Sequence, residues 1–229
     1  MEKNALYWNE QGNSLLVQGM YEDAIKGYDA AIRLDPGLAV SYNNKGIALD
    51  NLGRYADAIK EFDTALGIDP RFQAAHYNKG IALAGLGKYE DAIREYDTAI
   101  WLDKKDPAAH SSKGNALSWL GKYGDAIREY DAAIRLDPKS VAAHYNKAVA
   151  LAALADYTAA VREYDRAIAL DRRLAPAHGG KCNALVGLGR YEDAVRECDI
   201  ALSLDPDNRA YIDAKGIAVK LLEGKGEKG

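Results

Sequence analysis

Four histidines, His76, His110, His144 and His178, stand 34 residues apart, and imidazoles at even spacing first suggest a metal centre. Spacing this long argues against one. If the interval is a structural repeat, equivalent positions lie about one helix-packing distance apart, ~8–10 Å, whereas zinc ligands must each approach the ion to ~2.0–2.1 Å. The same place is held by Trp8 and Tyr42 earlier in the chain, so the histidines are expected to pack as aromatic rings. The two cysteines, Cys182 and Cys198, fall on helices expected to face each other, close enough to touch. Two thiols alone build neither a disulfide framework nor a multi-thiolate metal site, and they are expected to be buried structural thiols in a reducing compartment. The chain has no phosphate-binding glycine loop, nucleophile elbow, HExxH or paired carboxylates on a cleft. The expectation is a protein that is not an enzyme and takes no metal or cofactor.

Charge and composition narrow the class further. Thirty Lys and Arg against 34 Asp and Glu give a net charge of −4, without the basic footprint of a nucleic-acid binder. The longest purely apolar run, 148–155, is bounded by Lys147 and Asp156, far short of the ~20 residues of a membrane-spanning helix. The first ten residues lack the apolar stretch of ~7–15 residues that a secretory signal needs. A soluble, cytoplasmic protein without membrane or nucleic-acid partners is expected.

The elements that carry these residues follow from the 34-residue interval. Ala24, Ala58, Ala92, Ala126, Ala160 and Ala194 keep it, as do Ala31, Ala65, Ala99, Ala133, Ala167 and Ala201 and six tyrosines from Tyr21 to Tyr191. Six repeats without insertion are expected at 5–38, 39–72, 73–106, 107–140, 141–174 and 175–208, then a terminal helix at 209–223 and a flexible tail at 224–229. Together 1–223 form one solenoid domain. Within a repeat the apolar residues recur with helical spacing, as in Ala58, Ile59, Phe62, Ala65 and Leu66. The helical pattern stops first at Gly53, Gly87, Gly121 and Gly189, suited to a left-handed cap, and again at Asp-Pro pairs such as Asp35-Pro36. Lys104 and Arg172 replace that proline in the third and fifth repeats, where the junctions are expected to splay slightly.

Trp8, Gly12, Ala24, Tyr28, Ala31 and Pro36 of the first repeat resemble the tetratricopeptide repeat, a 34-residue helix-turn-helix unit. The resemblance covers 5–208 and implies an all-α, right-handed superhelical solenoid that binds other proteins or peptides on a surface lined by the first helix of each repeat. In that family this surface is formed by the second, fifth, sixth, ninth, twelfth and thirteenth places. Of the 36 residues at those places, only Glu10 and Asp50 are charged, so the concave groove is nearly neutral and a roughly neutral peptide or helix of a partner protein is the expected ligand. Asparagine recurs in it: Asn44, Asn78 and Asn146 at the sixth place, Asn13, Asn115 and Asn183 at the ninth. Carboxamides both donate and accept, so the ladder suits the backbone of a bound peptide, or alternatively the neighbouring turns of the protein itself. Tyr77, Tyr145 and Trp119 are the expected aromatic anchors. No cation occupies the second or fifth place, which excludes the carboxylate clamp used by relatives that grip acidic chaperone tails. Lys45, Lys79, Lys113, Lys147 and Lys181 recur at the seventh place, where their stems are expected to pack between helices and their heads to reach outward. The charges of the second helices are expected on solvated outer faces.

Two further features bear on assembly. Gly179-Gly180 falls inside a first helix, where each glycine costs roughly 1 kcal/mol relative to alanine, and reads as repeat decay that softens the sixth repeat. On the terminal helix, Ile212, Gly216 and Val219 lack a covering second helix. Trp101, at a late second-helix place, is a second exposed candidate, and joining copies of the chain into a homo-oligomer through the terminal helix or through Trp101 is the alternative to partner binding.

Overall fold

The repeats turn the chain at two places with recurring chemistry. At the first turn Gly19, Gly53, Gly87, Gly121 and Gly189 all take a positive φ of 70–75°, the left-handed cap that glycine adopts without penalty. The fifth repeat does this with Ala155 at φ 60°. At the second turn an aspartate ends the helix in extended conformation and its Oδ1 accepts the backbone N–H two residues on, as in Asp35 to Gly37, Asp69 to Arg71 and Asp137 to Lys139. Lys104 and Arg172 leave this turn intact. Asp103 accepts from the Lys105 N–H and Asp171 from the Arg173 N–H, both at 2.9 Å, the same length as in the first repeat. The expected splaying is absent because the aspartate, not the proline, closes the turn.

The structure is a computed structural model describing residues 4–226. Contacts divide the chain into two compact units, Met1–Leu120 and Gly121–Gly229. Unit one holds α1 (Ala5–Val17), α2 (Tyr21–Leu34), α3 (Ala39–Asn51), α4 (Tyr55–Ile68), α5 (Gln73–Gly85), α6 (Tyr89–Leu102) and α7 (Pro107–Trp119). Unit two holds α8 (Tyr123–Leu136), α9 (Val141–Ala153), α10 (Tyr157–Leu170), α11 (Ala175–Gly187), α12 (Tyr191–Leu204) and α13 (Arg209–Gly226). No strand occurs among the described residues. Within each unit a helix packs on the next in sequence. The first helices also touch one another: α1 on α3, α3 on α5 and α5 on α7 in unit one, α9 on α11 and α11 on α13 in unit two. This is an all-α repeat solenoid. Part of the expected tail is helical, since α13 continues to Gly226; residues 227–229 lie outside the described residues.

The core of a repeat is an aromatic ring seated on a glycine. Tyr28, Phe62 and Tyr96 are buried on the second helix, and a Cβ built on Gly12, Gly46 or Gly80 would lie 2.5 Å from the respective ring. The strictly repeated alanines are fully buried around this seat, where larger side chains would push the paired helices apart. In the sixth repeat the glycine and the aromatic are both replaced, by Cys182 and Cys198, and these form a disulfide with Cα atoms 5.5 Å apart. The expectation of free thiols is corrected here. A ring-on-glycine pair already brings its two Cα atoms into bridging range, so exchanging both residues for cysteine leaves the sulfurs in contact.

Gly179 and Gly180 are likewise not decay. A Cβ on Gly179 would lie 2.3 Å from the ring of Tyr211 on α13, and one on Gly180 would lie 2.5 Å from the ring of Tyr164 on α10. The two glycines let α11 receive an aromatic ring from each neighbouring helix.

Candidate functional site

The seventh-place lysines are not turned out to solvent. Lys45 on α3 bridges Asp29 of α2 and Glu61 of α4, both at 2.9 Å; Lys79 on α5 bridges Asp63 and Glu95 at 2.8 and 2.7 Å. In unit two Lys147 joins Asp131 and Glu163, and Lys181 joins Asp165 and Glu197. Each ammonium ties its own repeat to the preceding one. Burial disfavours the charged amine of Lys45, Lys79, Lys147 and Lys181, but hydrogen bonds and charge from their two carboxylates outweigh it and raise the pKa above that of a free lysine. Several carboxylates expected on outer faces thus belong to a partly buried network.

The histidines join that network. Nδ1 of His76, His144 and His178 lies 2.7 Å from Glu95, Glu163 and Glu197 respectively, while Nε2 faces the carbonyl of Pro70, Pro138 or Arg172 at 3.3–3.4 Å. Their role is polar and structural rather than ring packing alone. Glu163 is only 6% exposed. Burial pushes its carboxyl up, yet bonds from His144 and Lys147 and the charges of Lys147 and Arg166 hold it below the ordinary range; Glu197 follows the same pattern with Lys181 and His178. No group of three or more His, Cys, Asp or Glu suited to a metal gathers among the described residues, and no helix is long and apolar enough to cross a membrane.

The asparagines of unit one bond to each other across repeats. Asn44 Nδ2 donates to Asn13 Oδ1 at 2.9 Å, and Asn13 also accepts from the Tyr28 hydroxyl. Asn43 donates to Asn44, and Asn78 donates to Asn43 at 3.0 Å. The ladder therefore sets the register between first helices. Asn146 in unit two is half-buried, and Asn115 and Asn183 are exposed. Of the expected anchors, Tyr77 and Tyr145 are half-buried and lean on Tyr96 and Tyr164, with centroids 6.0 and 6.1 Å apart. The Tyr77 and Ser112 hydroxyls lie 3.4 Å apart.

Trp119 stands apart from these. It is 73% exposed and stacks on Tyr89, planes 2° apart and centroids 5.8 Å apart, an offset aromatic pair. In two other repeats the place of Trp119 is glycine, and the ring of the preceding repeat lies over it: Tyr55 against Gly85, Tyr157 against Gly187; the remaining repeats carry Val17, Asn51 and Ala153 there. Putting tryptophan there builds a wall instead of a seat. The wall borders a cavity of about 490 Å³ lined by Ile81, Ala84, Tyr89, Tyr96, Asn115 and Trp119. Beside it a smaller cavity of about 160 Å³, sharing Ile81, is lined by Ile47, Asp50, Asn51, Phe62 and Asn78. Another hollow, about 390 Å³, opens in unit two among Ile134, Pro138, His144, Arg166, Ala169 and Leu170, but its one cation, Arg166, is already paired with Glu163. The Trp119 stack and the two adjoining cavities of unit one were only partly legible. Sequence reasoning placed Trp119 on this face but missed Tyr89 as its partner, thirty residues away.

The surfaces considered for self-association are partly open. Trp101 is 67% exposed, Ile212 and Gly216 are exposed, and Val219 is half-buried. Ile217 and Leu221, which sequence reasoning did not single out, are also exposed on α13.

Comparison with known proteins places this geometry. Models of the tetratricopeptide repeat match residues 5–38, 43–110 and 141–173, and a TPR repeat model matches 114–154. A comparison with curated proteins gives no match. Among solved structures, the chain is similar to YrrB, a TPR protein with an unusual peptide-binding site, at 20% identity over 82% of this chain and 97% of that one, TM-score 0.71. It is similar to MamA from Desulfovibrio magneticus RS-1 at 24% identity over 76% and 98%, TM-score 0.69. It is also similar to PilW, a widely conserved type IV pilus biogenesis factor, at 17% identity over 91% and 97%, TM-score 0.82. At such identities the likeness is one of fold. With the ring-on-glycine seats, the left-handed caps and the family matches together, the chain belongs to the tetratricopeptide repeat family.

Proposed function

We propose that the protein is a non-catalytic interaction scaffold that binds a peptide or helix of a partner protein on the first-helix face of unit one. The observation that carries this reading is the exposed Trp119 stacked on Tyr89, which walls a cavity large enough for a side chain, with Ile81 and Ala84 as apolar and Ser112 and Asn115 as polar lining. Exposed tryptophans that become desolvated on binding tend to dominate interface energies. YrrB carries a peptide-binding site on the same fold, which supports the reading by analogy. The asparagines act first as spacers between helices, and a carboxamide has two N–H donors and two lone pairs, so capacity remains for a peptide backbone. Selection of a random peptide library displayed on phage tests the proposal. The native chain should enrich a sequence family and Trp119→Ala should lose it; equal enrichment by both would overturn the reading.

A second reading, self-association, rests on Trp101 and on the apolar side chains Ile212, Ile217 and Leu221 exposed on α13. Light scattering over a range of concentrations tests it: mass should rise with concentration and Ile212→Glu should abolish the rise. A constant monomer mass would overturn it.

A further inference from the structure

Asp50 is anomalous on three independent counts. Its Oδ1 is buried and has no hydrogen-bond partner, a situation that is unfavourable for a polar group and more so for a charge. It occupies the last turn of α3, where the helix dipole opposes an anion. The other repeats carry Leu16, Ala84, Ser118, Ala152 and Val186 at this place, so an acid is not required by the packing. Burial accordingly pushes the carboxyl above its ordinary pKa. The neighbouring cations do not serve it, since Lys45 pairs with Asp29 and Glu61, Arg54 with Asp57, and Lys79 of the next repeat with Asp63 and Glu95. The cavity that Asp50 lines otherwise offers Ile47, Asn51, Phe62, Asn78 and Ile81. These are apolar walls and amide groups, with no positive charge.

We propose that the carboxylate of Asp50 receives the basic side chain, lysine or arginine, of a bound partner peptide whose neighbouring apolar side chain fills the cavity walled by Trp119. The two cavities adjoin at Ile81, so one short peptide spans both. Complementarity is specific because Glu10 is the one other charge at the groove places and does not line this cavity: a lysine or arginine meets a single unpaired carboxylate with apolar and amide surroundings to hold its stem. An acidic side chain at the same point meets like charge in a poorly hydrated pocket. The cost of keeping Asp50 unpaired in the free protein is then recovered on binding, which makes the carboxylate a selector as well as a contact. This inference rests on the peptide-binding reading above.

The test is selection of a random nine-residue peptide library on phage by the full chain, by Asp50→Asn, by Asp50→Lys and by Trp119→Ala. Asp50→Asn keeps the volume and removes the charge, and a thermal melt at or above the native temperature confirms its fold. The native chain should enrich Lys or Arg close to a large apolar residue. Asp50→Asn should lose the basic preference, with the native-selected peptides binding about thirtyfold more weakly or worse, and Asp50→Lys should turn the preference to Asp or Glu. Enrichment through Trp119 without any preference for a basic residue, or a basic preference that survives in Asp50→Asn, would overturn this inference and leave the scaffold reading standing. Selection of no peptide at all would overturn both.

Discussion

Trp119 lies flat on Tyr89, ring planes 2° apart, at the place where two other repeats seat the corresponding tyrosine on a glycine, Gly85 and Gly187. Because 73% of Trp119 is exposed, little of it supports the fold. Trp119→Ala is expected to lower stability by no more than about 1 kcal/mol, the worth of an aromatic pair beyond its burial, while abolishing peptide capture. Urea melts followed by circular dichroism, set beside the binding assay, separate the two effects.

Lys147 draws Asp131 and the buried Glu163 together. Lys147→Met removes the ammonium and leaves Glu163 with its His144 and Arg166 contacts only. Breaking a buried pair costs roughly 3 kcal/mol or more; with Asp131 well exposed, a loss of about 2–3 kcal/mol is expected. The double variant Lys147→Met with Glu163→Gln should recover part of it in chemical denaturation.

Acid should weaken unit two. Glu163 and Glu197 have folded-state pKa values held below the ordinary carboxylate range by their histidine and lysine partners. A depressed carboxylate contributes stability that is present above its unfolded pKa, near 4.3, and is lost as pH falls through the folded value. Melting temperatures should therefore hold from neutrality to about pH 5 and drop steeply below about pH 4. Glu163→Gln with Glu197→Gln should flatten that drop.

Ala155 spends a non-glycine residue on a left-handed turn, φ 60°. Ala155→Gly should stabilise the protein by about 1 kcal/mol, the strain of that conformation less the greater chain entropy of glycine. Thermal denaturation is sufficient to read the gain. The reverse exchange, Gly189→Ala, should cost a similar amount.

The Cys182–Cys198 bridge closes a short loop, sequence separation 16, and a loop of that size is worth about 3 kcal/mol in the chain-entropy account. Reductant should lower the melting temperature of the native chain and leave Cys182→Ala/Cys198→Ala unmoved. Intact mass before and after alkylation verifies the bond directly.

Much of the fold was legible because the 34-residue period carries its own punctuation: glycine at the first turn, aspartate at the second, and small residues at Ala24 and Ala31 and their equivalents. Periodicity identifies which face of a helix a residue occupies, but not what it meets on the next helix. Lys79 therefore read as an outward-reaching side chain, although its partners Asp63 and Glu95 stand sixteen residues before and after it. The same offset of sixteen relates Lys45 to Asp29 and Glu61, so opposite charges recurring in step were the available signal. Cys182 and Cys198 share that offset as well. Their bond went unforeseen because reasoning from compartment overrode reasoning from distance. The asparagine ladder was legible as a row, but not as a row turned partly inward, because a carboxamide serves a neighbour and a ligand equally well.

Joints of one pattern make the repeats interchangeable parts. Excising residues 39–72 would bring Asp29 to the position that Asp63 holds relative to Lys79, and Asn9 to the position that Asn43 now holds against Asn78. Tyr28 and Tyr96 would keep their own glycines. Such a chain can be shortened or lengthened by whole repeats with every ion bridge and amide contact re-formed, so duplication and recombination change its reach without redesigning its joints. What would not survive that cut is Asp50, an acid that no other repeat carries at its place.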